Sequence, residues 1–241
     1  MTGSDWIGIL LYIGYFLAAI VPLFLLKAAF KVPFEVTRKL YHLAIMGSIF
    51  PLMRLFSTWY AALLAVALFA VVLYPILKAL EPTRLFGRLA VERAGGEFRE
   101  SLIVVQISFA LLIIVFWGIL GEEWKSICIV AALAWGLGDA SAALIGKSIG
   151  RHLIRHRGIE GPKTFEGTLA MYLVAGTALF LSLRFAAGQP WLLSLVIAAL
   201  VAPISAVVEL FSNRGLDTLT VPISTGLAVA SYLALFASLG F

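Results

Sequence analysis

Residues 134–150 read AWGLGDASAALIGKSIG, an apolar segment that contains Asp139 and ends in a Gly-Lys-Ser tripeptide and a further glycine. They overlap a run, 127–146, that is long and apolar enough to cross a bilayer. A carboxylate inside a span costs on the order of 3 kcal/mol, so it usually faces a cavity and marks function. We therefore expect Asp139 to line a cavity, about two helical turns before Lys147. A structural aspartate bonded to a neighbouring helix is the alternative.

The composition of the whole chain is that of an integral membrane protein. Of 241 residues, 62% are hydrophobic and 13% are charged, and the mean hydropathy is +1.03. Soluble domains are about half apolar and about a quarter charged. The single cysteine, Cys128, excludes an internal disulfide. In a membrane protein the distribution of cations matters more than the net charge of +5, and we expect no nucleic-acid partner.

Eight runs have the length of a membrane span, which is about 20 apolar residues. They cover residues 6–26, 40–56, 59–80, 101–120, 127–146, 168–187, 191–211 and 220–240. The second run is short and contains Pro51, so its boundaries are the least well defined. The sequence therefore predicts an all-α integral membrane protein, a bundle of about eight transmembrane helices that forms one polytopic domain over residues 1–241.

The cations alternate between the connections. Fifteen of the eighteen lysines and arginines fall in the first, third, fifth and seventh connections between the predicted spans. Cytoplasmic loops of membrane proteins are enriched in lysine and arginine. We therefore predict that these four connections are cytoplasmic and that both termini lie on the non-cytoplasmic side. The oligomeric state is left open.

The tripeptide Gly146-Lys147-Ser148 resembles the end of a nucleotide P-loop but does not satisfy that motif. The motif requires a glycine five positions before Gly146, where this chain has Ser141. It also requires a preceding strand, whereas the preceding segment here is predicted to be helical. What remains is a glycine-rich helix that permits close backbone approach, with an acid inside it and cations at its end.

Three further polar clusters lie on the predicted cytoplasmic side. The first cluster is EVTRKLYH (35–42), in which Glu35, Arg38, Lys39 and His42 share one face of a helix. The alternative is that these residues only form the positively charged cytoplasmic flank of a span, with an ion pair inside the helix. The fifth connection carries cations and three glycines up to the start of the sixth span, and helix N-termini with a nearby lysine bind phosphate well. The third cluster, VVELFSNRGLDTLTVP (207–222), places Glu209 and Asp217 on either side of a tight turn. Ordinary capping of the last helix is the alternative role for Asp217.

These residues are the components of phosphoryl transfer. Carboxylates hold magnesium, and lysines and arginines bind the phosphates of a nucleotide. The candidate acids are Glu35, Asp139, Glu166, Glu209 and Asp217, and the candidate cations are Arg38, Lys39, Lys147, Arg151 and Lys163.

Four strings in the same order resemble the CTP-dependent lipid kinases, a family that includes dolichol kinase, phytol kinase and the fungal-type diacylglycerol kinase. They are RKLYH (38–42), GDASAALIGKSIG (138–150), PKTFEGTLAM (162–171) and LDTLTVP (216–222). The resemblance covers most of the chain. One departure is Thr218, where the family pattern leads us to expect asparagine after the aspartate.

The resemblance implies transfer of the γ-phosphate of CTP to the hydroxyl of a membrane lipid alcohol, with Mg²⁺, at the cytoplasmic face. A long or short isoprenoid alcohol is the expected acceptor. The expected roles are catalytic for Asp139, Lys163, Arg38 and His42; nucleotide-binding for Lys39, Gly138, Gly146, Lys147, Gly150, Arg151, Glu166 and Gly167; and metal-binding for Asp139, Glu209 and Asp217. Asp139 and His42 are both candidates for the base.

Three alternatives stay open at this point. A diacylglycerol kinase that uses CTP would require the same residues. A CTP:phosphatidate cytidylyltransferase is also compatible with PKTFEG, but the long acidic and glycine-rich C-terminal signature expected of that class is absent. A membrane transporter is compatible with acids inside spans, although the charged residues gather at one face and no paired repeat is visible.

Overall fold

The computed structural model describes residues 3–83, 97–213 and 215–240. Most of the basic segment 84–99 and Arg214 lie outside the described residues. The α-helices are α1 Gly3–Ala29, α2 Phe34–Met46, α3 Ile49–Leu55, α4 Trp59–Leu80, α5 Glu97–Leu112, α6 Ser126–Ser148, α7 Phe165–Phe185, α8 Trp191–Phe211 and α9 Asp217–Ser238. A π-helical segment, Ile113–Ile119, and a 3-10 turn, Glu122–Trp124, connect α5 to α6. The predicted all-helical fold is confirmed.

Seven helical segments of the described chain are long and apolar enough to cross a membrane. They are Asp5–Lys27, Trp59–Leu80, Glu100–Ile119, Glu122–Ser148, Phe165–Phe185, Trp191–Phe211 and Asp217–Ser238. Each of the seven overlaps a predicted span, so the chain is a multi-pass membrane protein. The sixth and eighth predicted spans begin three residues earlier than expected, because polar residues form the first turns of α7 and α9.

The predicted second span, 40–56, is divided between α2 and α3, which have 13 and 7 residues. Pro51 has no amide proton with which to bond the carbonyl of Gly47, four residues before it. That carbonyl instead accepts from the amide of Phe50 at 3.1 Å. A proline therefore accounts for the break, and the count of eight spans stays a prediction.

The chain divides into two compact units, Met1–Ile114 and Val115–Phe241. The first unit contains α1 to α5. Within it the ring of Tyr12 packs edge-on against Phe16 and Phe69. The Tyr12 hydroxyl also donates to Gln106 Oε1 at 3.2 Å, and all of these side chains are buried. An aromatic and polar core thus connects α1, α4 and α5.

The second unit is organised around α6. This helix packs most extensively against α7 and also contacts α8 and α9. Trp135 and its small neighbours on α6, such as Ala131 and Ala134, are fully buried. The small residues allow close approach of the surrounding helices, so the first part of the segment 134–150, up to Ala140, lies inside this unit.

Candidate active site

Asp139 lies inside the packed part of the second unit. Its residue is 7% exposed, on a helix that is buried along most of the run from Ile127 to Ala140. The adjacent Gly138 faces α7, where an added Cβ would lie 3.0 Å from Met171 Cε and 3.2 Å from Ala175 Cβ. Glycine at this position lets α7 approach the backbone next to the carboxylate. Asp139 is therefore buried among helices of the second unit, and the cavity expected beside it stays a prediction.

The end of α6 and the start of α7 meet through glycines. An added Cβ on Gly167 would lie 2.9 Å from the carbonyl oxygen of Ala142 and 3.3 Å from Gly146 Cα. An added Cβ on Gly150 would lie 2.7 Å from Thr164 Oγ1. Two of the sequence motifs, 138–150 and 162–171, are therefore in direct contact.

The first turn of α7 is capped by a threonine that sequence reasoning did not nominate. Thr164 Oγ1 accepts a hydrogen bond from the amide of Gly167 at 3.1 Å, which is the usual N-cap arrangement. The positive end of a helix dipole favours an anionic ligand. The threonine that precedes Phe-Glu-Gly was the available sequence signal for this cap.

The segment between α6 and α7 folds back on itself. Leu153 and Thr164 form an isolated antiparallel bridge. The amide of Ile154 donates to the carbonyl of Lys163 at 2.9 Å, and the amide of Phe165 donates to that of His152 at 2.9 Å. We call residues 151–164 the hairpin loop. These bonds fix both of its ends at the start of α7.

The tip of the hairpin loop rests on the end of α8. The amide of Glu160 donates to Asn213 Oδ1 at 3.2 Å. The ring of His156 packs edge-on against Phe211, with 5.5 Å between ring centroids. The loop that carries the predicted phosphate-binding cations is therefore held at its tip as well as at its ends.

Lys163 forms an ion pair with Glu209. Its Nζ donates to the carboxylate of Glu209, and also to the carbonyl oxygen of the same residue at 3.2 Å. Glu209 is 4% exposed, so the lysine compensates a buried charge. The structure brings together a predicted catalytic cation and a predicted metal ligand, although the sequence did not indicate that they form a pair.

Glu166, predicted to bind nucleotide, contacts His152. The two residues are joined by a contact of 2.6 Å between Glu166 Oε1 and His152 Nδ1. The amide of His152 donates to both carboxylate oxygens at 3.3 Å. Sequence reasoning missed His152, since an exposed histidine among arginines gives no signal of its own.

Asp217 is the first residue of α9 and follows a turn at Gly215, whose φ of +74° favours glycine. Leu216 occupies the N-cap position. Asp217 therefore lies one residue after the N-cap position, where a carboxylate stabilises the helix through its dipole. Lys147 and Arg151 are exposed at the C-terminal end of α6.

The predicted polar stripe of α2 belongs to the first unit. The guanidinium of Arg38 donates to Glu35 Oε2 from Nε at 3.2 Å and from Nη2 at 3.1 Å. Lys39 is buried at 3% exposure, and His42 is half-buried. The internal ion pair considered as the alternative for this helix is present, and the functional roles of the stripe stay predictions.

The three predicted metal ligands, Asp139, Glu209 and Asp217, all belong to the second unit. In the parts of the chain that the structure describes, no group of three or more histidine, cysteine, aspartate or glutamate side chains forms a metal cage. Magnesium is commonly bound by one or two carboxylates together with substrate phosphates. Asp139, Glu209 and Asp217 provide oxygens of that kind.

One curated protein is similar to this chain over nearly its whole length. The phytol kinase of Synechocystis sp. is 33% identical over 238 residues, which cover 95% of this chain and 93% of the relative. No family model matches the sequence. No solved structure matches it either.

Proposed function

The chain belongs to the CTP-dependent lipid kinase family, and from this premise we propose that it transfers the γ-phosphate of CTP to a membrane isoprenoid alcohol. The observation that carries the proposal is the contact between the glycine-rich end of α6 and the capped N-terminus of α7. That contact sets a helix N-terminus beside Lys147, Arg151 and Lys163. A polyphosphate requires this kind of positive environment.

The side chains of the second unit would act on phosphate in three ways. The positive end of the α7 helix dipole would attract phosphate oxygens, and Lys163 and Lys147 would neutralise the negative charge that develops during transfer. One or two of the acids Asp139, Glu209 and Asp217 would hold magnesium together with phosphate oxygens. The bound magnesium would neutralise charge on the phosphates. Roles for Arg38, Lys39 and His42 rest on the motif RKLYH alone.

The transfer itself is direct. The hydroxyl oxygen of the alcohol forms a bond to the γ-phosphorus, the bond from that phosphorus to the β-phosphate oxygen breaks, and CDP leaves. The hydroxyl proton passes to a base, for which the sequence nominates Asp139 and His42. No phosphoenzyme is needed.

The proposal also names the lipid that accepts the phosphate and the side of the membrane that the site faces. An isoprenoid alcohol is preferred to diacylglycerol because the similar curated protein is a phytol kinase. The same relative favours a kinase over a cytidylyltransferase or a transporter. The cationic connections support a site that faces the cytoplasm.

The test uses the purified protein in detergent with Mg²⁺ and γ-labelled CTP or ATP. The lipids offered are phytol, geranylgeraniol, a polyprenol and diacylglycerol. We expect label from CTP in an isoprenoid phosphate. Asp139→Asn should lower the rate at least about 100-fold, whereas Glu123→Gln, at an exposed acid outside the site, should leave it unchanged.

Three results would contradict parts of this proposal. Transfer from ATP in preference to CTP would overturn the donor. Label in diacylglycerol alone would overturn the acceptor. Incorporation of α-labelled CTP into phosphatidate, with release of pyrophosphate, would replace the kinase by a cytidylyltransferase.

A further inference from the structure

His152 and Glu166 form a carboxylate–imidazole pair that the sequence did not indicate. His152 lies in the hairpin loop, and Glu166 is the second residue of α7. Their side chains meet at 2.6 Å, and the amide of His152 also donates to the carboxylate. The histidine side chain is 80% exposed, whereas that of Glu166 is 22% exposed. The less exposed Glu166 therefore holds the solvent-exposed imidazole of His152 in place.

The contact determines which nitrogen of His152 is basic. An ionised carboxylate can only accept hydrogen bonds, so His152 Nδ1 carries the proton that Glu166 receives. In the neutral ring the other nitrogen, Nε2, is then a free acceptor. Because the ring is exposed, Nε2 is open to a ligand.

His156 provides the opposite arrangement four residues later. Its Nδ1 accepts from the amide of Gly158 at 3.1 Å, so its Nε2 carries the proton in the neutral ring. Its ring also packs on Phe211. The hairpin loop therefore contains one histidine oriented as a proton acceptor and one oriented as a proton donor.

The surroundings of His152 suit a lipid alcohol. Leu153 and Phe165, the chain neighbours of the two paired residues, are exposed at 54% and 60%. Exposed apolar side chains at the end of a membrane helix favour the apolar body of an amphipathic ligand. A hydroxyl at the polar end of such a ligand would lie near the ring.

We propose that His152 is the general base that removes the hydroxyl proton of the lipid alcohol, and that Glu166 is its positioning residue. The inference rests on the proposed function. As the oxygen bonds to the γ-phosphorus and CDP departs, the proton moves to His152 Nε2. The carboxylate of Glu166 stabilises the imidazolium, as an acid does in hydrolase triads, and the proton is later released to water.

The test combines substitution with chemical rescue. His152→Ala should lower kcat by about 100-fold or more, and added imidazole should restore part of the rate, since the exposed position leaves room for it. His156→Phe, which keeps an aromatic ring against Phe211, is the matched control and should retain the wild-type rate. His152→Gln, which keeps the size of the side chain, should be as inactive as His152→Ala without imidazole.

Glu166 is tested by separating kcat from KM. Glu166→Gln should lower kcat, since it removes the charge that stabilises the imidazolium, and should leave the KM for CTP unchanged. A raised KM with unchanged kcat would overturn the positioning role and favour the direct nucleotide contact predicted from the sequence.

Failure of this inference and failure of the proposed function look different. If the wild-type protein phosphorylates no lipid, the proposed function fails. If the wild type is active and His152→Ala is equally active, or is inactive but not rescued by imidazole, His152 is not the base. Folding of each variant is checked by thermal unfolding, which an exposed substitution should leave unchanged.

Discussion

At the scale of single residues, the pair of Lys163 and Glu209 combines charge with burial. The carboxylate is 4% exposed, and removing its cation leaves a buried acid uncompensated. We expect Lys163→Met to lower the free energy of unfolding by about 2–3 kcal/mol. The measurement is thermal unfolding of the purified variant in detergent.

The control for this prediction is a more exposed pair. Glu35→Gln removes the negative charge from the pair with Arg38, in which each side chain is 23% exposed. It should change the free energy of unfolding by less than about 1 kcal/mol. Adding Glu209→Leu to Lys163→Met should recover most of the lost stability. If the stability change of the double variant equals the sum of the changes of Lys163→Met and Glu209→Leu alone, the two residues are not coupled.

The sequence identified Lys163 and Glu209 separately but not their contact. They are 46 residues apart, with Lys163 in the hairpin loop and Glu209 in α8, and no periodicity relates such positions. His152 gave no signal at all, because its chemistry depends on the orientation of the imidazole and on Glu166, 14 residues later. Residue types were therefore predictable, whereas partners were not.

At the scale of elements, the approach of α6 to α7 depends on glycine. A Cβ at Gly150 would lie 2.7 and 2.8 Å from atoms of Thr164 and would also clash with the carbonyl of Gly146. We expect Gly150→Ala to lower the free energy of unfolding by about 1–3 kcal/mol and to reduce activity, measured by thermal unfolding and by the kinase assay.

Gly14→Ala is the matched control for that substitution. Gly14 lies inside α1, and nothing lies within 4 Å of an added Cβ. Alanine is the better helix former by about 1 kcal/mol, so this variant should be slightly more stable than wild type. Equal stability of Gly150→Ala and wild type would show that the two helices can separate without loss.

The helices could be predicted from apolar runs, but their ends depended on local polar contacts. Periodicity and hydropathy identified each of the seven candidate spans. Periodicity and hydropathy did not show that α7 begins at Phe165, after the N-cap Thr164, because the polar first turn of this helix has the composition of a loop. The break near Gly47 was predictable only as an uncertainty at Pro51.

At the scale of the whole molecule, the charge distribution predicts an orientation that labelling can test. In sealed inside-out vesicles, a membrane-impermeant maleimide should react with Arg157→Cys, in the predicted cytoplasmic hairpin loop, and not with Ala186→Cys, in the next connection. Right-side-out vesicles should give the reverse. The native Cys128 is buried and serves as the unlabelled background.

Labelling of both positions from the same side would contradict the predicted topology, since α7 lies between them. Labelling with both sides exchanged would leave the span intact but reverse the protein in the membrane. The prediction of one domain over residues 1–241 was made from the absence of a linker, which composition can show. The division into two compact units depends on packing, which composition does not show.

The hairpin loop has a consequence for the entropy of binding. Fixing the backbone of a flexible residue costs about 1–2 kcal/mol, and a mobile phosphate-binding loop loses that amount when its ligand arrives. Here the bonds from Ile154 to Lys163 and from Glu160 to Asn213 order the loop during folding. The conformational entropy of the loop is therefore lost during folding and not on binding. The interactions that an anion makes with this loop then contribute to affinity without an opposing cost of ordering the loop.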